Sequence, residues 1–311
     1  MKVLITGGAG FIGSHLAEHF NNSNEVFILD NLSTGHRSNV SFIDESHFIE
    51  NSITNKPLVQ ELIKKEKFDV VIHLAAVVSV VETINNPILS QSTNIDGTLN
   101  LLEANRKFNG NLKKFIFASS AAVYGNTELL PQEIESFIDP ESPYAIEKYT
   151  GEQYTKIYNR LYNLPTTALR FFNIYGPRQD PSSPYSGVLS IMNSEFYNDG
   201  LFTFFGDGKQ TRDFVYVKDL VQAISIIINK KEGNGKVFNL GNGRQSSLLE
   251  IFEIFEMLYG KTINYQFKSA REGDIKYSYA QIEDLKKMGY LPKFNIKDGL
   301  QEYINYTNND N

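Results

Sequence analysis

The apolar run "KVLIT" at 2 to 6 leads without a linker into "TGGAGFIG" and then "GSHLAEHF". A strand that is apolar throughout, a glycine turn and an amphipathic helix, in that order, open a parallel βαβ unit, because such strands are covered on both faces. Read from Gly8, the turn satisfies G-x-G-x-x-G with Gly10 and Gly13; read from Gly7, its glycines fall three apart. Either way, the missing Cβ atoms let a pyrophosphate approach the helix N-terminus, whose free N–H groups and dipole favour an anion. Asp30 ends the next strand, "EVFILD", about 20 residues on, where a carboxylate can hold ribose hydroxyls. It repels a 2′-phosphate, so NAD is the expected cofactor, and Arg37 is the nearby basic residue that would argue for NADP. His15 and His19 share a helix face but have no third ligand in view. Packing, and no metal site, is expected there.

Strand and helix signals keep alternating through the first half. "EVFILD", "DVVIHLA", "KKFIFAS" and "PTTALRFFN" read as strands. "PLVQELIKKEKF", a long stretch from Pro87 to about Phe108, and 143 to 162 read as helices. The fold class is α/β, a doubly wound parallel (Rossmann) sheet. After Asn173 comes "YGPRQDPSSPYSGV", rich in Pro, Gly and Ser, which reads as a long ordered functional loop. Beyond it lie a helix near 187 to 199, the strand "LFTFFG", the helix "KDLVQAISIIINK", the strand "KVFNLG", the helix "SLLEIFEIFEMLYG" and an amphipathic segment from about Ile282. Residues 1–173 are expected to form the dinucleotide-binding domain and 174–311 a smaller C-terminal lobe, with some segments returning to the sheet.

Composition excludes several classes. The 311 residues include no cysteine, which removes disulfides, thiolate nucleophiles and Cys-ligated metals. That fits a reducing compartment, and a cytoplasmic location is expected. A net charge of -6 provides no basic footprint for a nucleic acid. The apolar run at 70 to 81, broken by His73 and Ser79, falls short of the roughly 18 residues of a membrane span, and the N-terminal apolar stretch is too short for a secretory segment.

In "SPYAIEKYTGE", Tyr144 and Lys148 stand four apart on one helix face. Alone the pair means little in a chain with 17 tyrosines. Its position gives it weight, since it follows the strand whose C-terminal end carries Ser119 and Ser120, and ligands of open α/β sheets lie at that edge.

The ordered series "TGGAGFIG", "DNLSTG", "HLAA", "NIDGTLNLLEA", "SSAAVYG", "YAIEK", "RFFNIYGPRQDP", "FGDGKQTRDFVYVKDL" and "REGD" resembles the extended short-chain dehydrogenase/reductases, specifically the UDP-hexose 4-epimerase group, over essentially the whole chain. The resemblance implies Ser120, Tyr144 and Lys148 as catalytic residues, with Ser119 as a neighbour in a backbone or packing role. It implies NAD contacts from Gly7, Gly10, Phe11, Ile12, Gly13, Asp30, Asn31, Ser33, Thr34, Gly35, Ser52, Ile53, Leu74, Ala75, Ala76 and Asn94, besides Tyr144 and Lys148. Ser52 stands where the family usually has an Asp near the adenine. For a UDP-sugar it implies Asn173, Arg212 and Arg271 at the phosphates, Asp274 at the ribose, and Thr203 with Phe205 at the uracil, with Val188 a further substrate contact. The plainer readings are an ordinary surface pair for Arg212 and Asp213 and a core position for Phe205. A homodimer through helices at about 90 to 107 and 143 to 162 is also implied.

A base that takes a proton from a secondary alcohol works best with a pKa near the working pH. Nearby cations lower a phenol's pKa, and three units correspond to roughly 4 kcal/mol. Dehydratase and decarboxylase relatives carry acidic residues just after the catalytic hydroxyl, whereas this chain has Ala121 and Ala122. A 4-keto sugar formed here has no acid or base to carry it onward, so epimerisation is expected. Dehydratase, reductase and non-catalytic NAD-binding regulator readings are the alternatives. Seven positions after the "REGD" arginine the family sets a wall beside the sugar C2 substituent. Counting gives Ser278, a small residue, which implies UDP-N-acetylglucosamine and UDP-N-acetylgalactosamine as substrates with UDP-glucose and UDP-galactose beside them. UDP-glucose 4-epimerase activity alone is the narrower alternative.

Overall fold

The computed structural model describes residues 1–127, 129–180, 187–270 and 275–309. Its first half runs β1 (Lys2–Thr6), α1 (Phe11–Asn21), β2 (Glu25–Asp30), β3 (Phe48–Glu50), α2 (Lys56–Glu66), β4 (Val70–His73), α3 (Val80–Asn85), α4 (Pro87–Gln91), a π-helical segment (Ser92–Asp96), α5 (Gly97–Phe108), β5 (Lys114–Ser120), α6 (Pro143–Tyr162), β6 (Thr166–Phe171) and β7 (Asn173–Tyr175). The second half runs α7 (Val188–Tyr197), β8 (Leu201–Phe205), β9 (Thr211–Arg212), β10 (Phe214–Tyr216), α8 (Val217–Ile228), β11 (Val237–Leu240), β12 (Ser246–Ser247), α9 (Leu248–Tyr259), β13 (Asn264–Lys268), α10 (Glu283–Lys287) and α11 (Ile296–Asn309).

Seven strands form one sheet in the order β11-β6-β5-β4-β1-β2-β3. All its pairings are parallel. Strand side chains alternate between two cores, as period 2 demands. Val3, Ile5, Val26, Ile28, Ile72 and Ile116 pack under α1 and α8, while Leu4, Phe27, Leu29, Val71, Phe115 and Phe117 pack under α2, α5 and α6. The order reverses between β1 and β4, so the crevice for a ligand opens there. A third core joins the rest of the second half, with Phe196, Phe202, Phe204, Phe252 and Phe255 at its centre.

Several expectations are corrected. "PTTALRFFN" is two strands, since the Phe172 N–H goes to Leu240 O at 3.1 Å while the Asn173 N–H turns to Asp213 O at 3.0 Å, and β7 pairs with β10 instead. The long helix from Pro87 to Phe108 is interrupted by the π segment around Asn94. The segment from Ile282 divides into α10 and α11, separated by Gly289 at φ +109° and by Pro292.

Candidate active site at the carboxyl edge of the sheet

The glycine turn has the shape a pyrophosphate needs. Gly7 lies at φ +70°, and a Cβ there would sit 2.8 Å from Ala75 N, so the turn passes close under the β4 loop. A Cβ on Gly13 would fall 2.2 Å from Gly7 O, which makes Gly13 the packing glycine. On Gly10 a Cβ would meet only Gly7 O, at 3.4 Å, leaving the space above the turn open for a ligand to approach the backbone. No side chain caps the N-terminus of α1, and its first turn holds no acid. These features fit a dinucleotide.

Asp30 is buried and accepts the N–H groups of Ala9 at 2.9 Å and Leu32 at 2.8 Å. Burial pushes its carboxyl up, and the two N–H donors oppose that. The loop Asn31, Ser33, Thr34 and Gly35 is drawn against the turn: the His36 N–H reaches Ala9 O at 3.1 Å, and a Cβ on Gly35 would lie 2.8 Å from Ala9 C. Arg37 is committed elsewhere. Its guanidinium donates to Val40 O, Ile43 O and Glu45 and stacks 4.5 Å over Phe48, which removes the sequence feature that favoured NADP. Ser52 forms a hydroxyl pair with Thr54 at 2.8 Å, whereas the Ile53 side chain is in the core. Phe11 packs on the aromatic core of the second half and Ile12 on the core beneath α1. His15 bonds Pro177 O at 2.9 Å and His19 meets Ser225 at 3.1 Å, so both pack as expected.

At the end of β5, the Ser120 hydroxyl accepts the Ala122 N–H at 3.2 Å and caps a 3-10 turn, Ala121–Tyr124. α6 begins where Ser142 caps Ala145 N at 3.2 Å and Pro143 supplies a preset φ. Tyr144 and Lys148 project from its first turns toward Ser120. Burial pushes the Tyr144 phenol up, and a hydrogen bond with the Ser120 hydroxyl pulls it back. Lys148 Nζ donates to Ala118 O at 2.9 Å and lies 5.8 Å from the centre of the Tyr144 ring. Burial brings its pKa down to about 8. Ser119 faces away from this cluster: its hydroxyl donates to Glu152 Oε2 at 3.0 Å.

The second half adds a neighbouring wall. Ser120 pairs with Phe171, two residues before Asn173. Asn173 Nδ2 donates to Asp213 O at 3.2 Å, which sets Asn173 beside Arg212. Asp213 is no surface residue, as it is fully buried and its carboxylate accepts the N–H groups of Asn242, Gly243 and Ala280. Arg212 is half-buried and donates to Thr211 O at 2.9 Å. The Ser278 N–H reaches Thr211 O at 3.2 Å, while its side chain is only 4% exposed and donates to Gln132 Oε1 at 3.0 Å. Thr203 accepts from Gln266 Nε2 at 3.0 Å, Phe205 is half-buried rather than core, and Val188 opens α7 against the aromatic cluster. Arg271 and Asp274 lie outside the described residues.

Sequence reasoning passed over Gln132, Thr83 and Glu147. Gln132 lies in an irregular segment, and Thr83 accepts the Tyr144 N–H at 3.3 Å from a helix that no pattern announced. Glu147 looks like a solvated position in "YAIEK" and is buried.

Residues 3–241 match the family model described as the NAD dependent epimerase/dehydratase family. A protein of Methanocaldococcus jannaschii is 39% identical over 311 residues, 99% of both chains. The UDP-glucose 4-epimerase of Thermotoga maritima, solved with UDP-glucose, is 35% identical with a TM-score of 0.94, covering 100% of this chain and 99% of that one. The UDP-N-acetylglucosamine 4-epimerase of Methanobrevibacter ruminantium, solved with UDP-N-acetylmuramic acid, is 34% identical with a TM-score of 0.93 and the same coverage. A glycine turn built for a dinucleotide, a Ser-Tyr-Lys cluster above it and this likeness along the full length place the chain in the NAD-dependent epimerase/dehydratase family, within its UDP-hexose 4-epimerase group.

Proposed function

We propose that this NAD-dependent UDP-hexose 4-epimerase interconverts UDP-N-acetylglucosamine and UDP-N-acetylgalactosamine, and also accepts UDP-glucose and UDP-galactose. The observation that carries the epimerase chemistry is the cluster of Ser120, Tyr144 and Lys148 at the sheet edge, followed by Ala121 and Ala122 in place of acids. NAD, when bound, supplies the chemistry of taking a hydride from C4 of the sugar and giving it back. Tyr144 takes the C4 hydroxyl proton and later returns it, while Ser120 orients the C4 oxygen by hydrogen bonding. The Lys148 ammonium favours the phenolate over the phenol. No side chain at 121 or 122 can take a proton from C5, so the keto sugar turns over, recovers hydrogen on its other face, and C4 inverts.

Asp30 and the loop behind it hold the adenosine ribose, the N-terminus of α1 holds the pyrophosphate, and Asn173 and Arg212 hold the UDP phosphates with Arg271. Asp274 takes the uridine ribose, and Thr203 with Phe205 the uracil. The fine preference rests on Ser278, whose short side chain bonds Gln132 and which, by the family's pattern, would leave room for an N-acetyl group beside C2. A tyrosine there has to displace the Gln132 amide or fill that room. Ser278→Tyr is therefore expected to lose kcat/KM on UDP-N-acetylglucosamine by about tenfold or more, a barrier change of roughly 1.4 kcal/mol, with UDP-glucose turnover retained. Equal loss on both substrates would refute the assignment. We also propose a homodimer, supported by exposed apolar side chains on α3, α4 and α6.

A further inference from the structure

Glu147 precedes Lys148 in α6, yet it is only 4% exposed. Its Oε1 accepts the Ser90 hydroxyl at 2.6 Å, and its Oε2 accepts Asn94 Nδ2 at 2.5 Å. Asn94 passes the link onward: its Oδ1 accepts the Val77 N–H at 2.8 Å and its Nδ2 donates to Val77 O at 3.0 Å. The π segment is what brings Asn94 round to this carboxylate. Through Asn94, the buried Glu147 side chain therefore links the helix that carries Tyr144 and Lys148 to the loop holding Leu74, Ala75 and Ala76. Hydrogen bonding alone does not call for a carboxylate, because an uncharged amide can accept from Asn94 and donate to Ser90 Oγ, whose single proton, released from Glu147, then turns to Pro87 O at 3.1 Å. The charge needs its own reason, since burying it is unfavourable unless a partner compensates.

We propose that Glu147 is a positioning residue with two separable duties: it is the counter-charge of Lys148, and it ties the cofactor-side loop to the catalytic helix. The proposal rests on the reading of Tyr144 as base and Lys148 as its cationic partner. The groups that face this pair are Glu147 from their own helix, the Ser120 hydroxyl and Ala118 carbonyl from β5, and His73 from β4, which burial keeps neutral. The Glu147 charge favours the protonated forms of both Lys148 and Tyr144. Removing it lets Tyr144 ionise at lower pH and lets Lys148 lose its proton at lower pH, so both limbs of a bell-shaped profile shift together.

The test is the pH dependence of kcat/KM, with NAD dissociation measured on the same proteins, for Glu147→Gln and Glu147→Asp. Glu147→Gln keeps the tie and loses the charge, and its profile is expected to move about half a unit or more toward acid with NAD affinity near wild type. Glu147→Asp keeps the charge on a shorter arm; its profile is expected to stay in place while NAD binding weakens several-fold. A Glu147→Gln profile superimposed on wild type, or an equal shift in Glu147→Asp, would overturn the proposal. Tyr144→Phe separates the two levels: if it stays active, the underlying assignment of the base fails, whereas an inactive Tyr144→Phe beside an unmoved Glu147→Gln profile sinks the Glu147 role alone.

Discussion

His73 interrupts the apolar run of β4, and its surroundings fix its protons. Thr98 Oγ1 spends its proton on Asn94 O at 2.6 Å, so it can only accept from His73 Nε2 at 2.9 Å. Thr6 Oγ1 accepts the Ala75 N–H at 3.3 Å and is left to donate to His73 Nδ1 at 2.8 Å. The neutral Nε2–H tautomer satisfies every partner, and a second ring proton would face the Thr6 hydroxyl proton. Burial accordingly lowers the imidazole pKa to about 3. The unfolded chain binds a proton near 6.5 that the folded one refuses, so stability is complete above that pH and falls as pH drops from about 6.5 toward 3. The loss reaches up to about 5 kcal/mol at the acid end. Urea titrations at pH 7.5 and 4.5 should show His73→Gln losing less stability between those pH values than wild type does. Equal losses would mean other groups carry the acid sensitivity. Of this arrangement the sequence revealed only a polar residue in an apolar strand, because both hydroxyl partners arrive from distant segments.

At the scale of elements, α6 is tied to the sheet by a buried ion pair as well as by apolar packing. Arg170 from β6 holds Glu152 through two bonds, Nε to Oε2 at 2.9 Å and Nη2 to Oε1 at 2.8 Å, and its Nη1 reaches Tyr124 OH at 2.8 Å. Tyr124 donates to Asn239 at 2.6 Å, Asn239 to Gln132 O at 2.8 Å, and Gln132 receives Ser278. One hydrogen-bonded path thus runs from Ser119 beside Ser120 to the wall at Ser278. Removing one charge from a buried pair leaves the other uncompensated, whereas replacing both need not destabilise. Arg170→Leu is expected to lose about 3–5 kcal/mol by thermal or urea unfolding, and Glu152→Leu/Arg170→Leu distinctly less. A double variant as unstable as the sum of the singles would argue that packing, not charge, dominates the site. Elements with a clean period, such as β1, α2, β5 and α6, were legible in the sequence. β7, β9 and β12 were not, since their lengths and partners are set by strands far away in the chain.

Over the whole molecule, the glycine turn and Asp30 were readable because each sits at a fixed distance from a strand end, whereas Ser120, Tyr144 and Lys148 took their roles from the resemblance to the family. The resemblance named Asn173, Arg212 and Ser278 but not the contacts that gather them: β7 pairs with β10, and β9 with β12 and with Tyr277, only after the second half has folded back over the sheet. Assembly follows from the same surface reading. Val81, Ile84, Ile88 and Leu89 on α3 and α4 are 57–80% exposed, and Ile146, Leu161 and Tyr162 on α6 are about half exposed. Beside α6, the exposed apolar side chains lie before the 90-to-107 stretch rather than on it, so the expected dimer contact is shifted toward α3 and α4. Light scattering should give twice the chain mass for the wild type. Ile88→Glu/Leu89→Glu places two charges in the centre of the proposed contact and is expected to yield monomers that keep the fold. Because Ser90 and Thr83 on the same helices support Glu147 and Tyr144, the monomer should also turn over more slowly. A wild type of single-chain mass, or a double variant that still dimerises, would show that this apolar face does not join two copies.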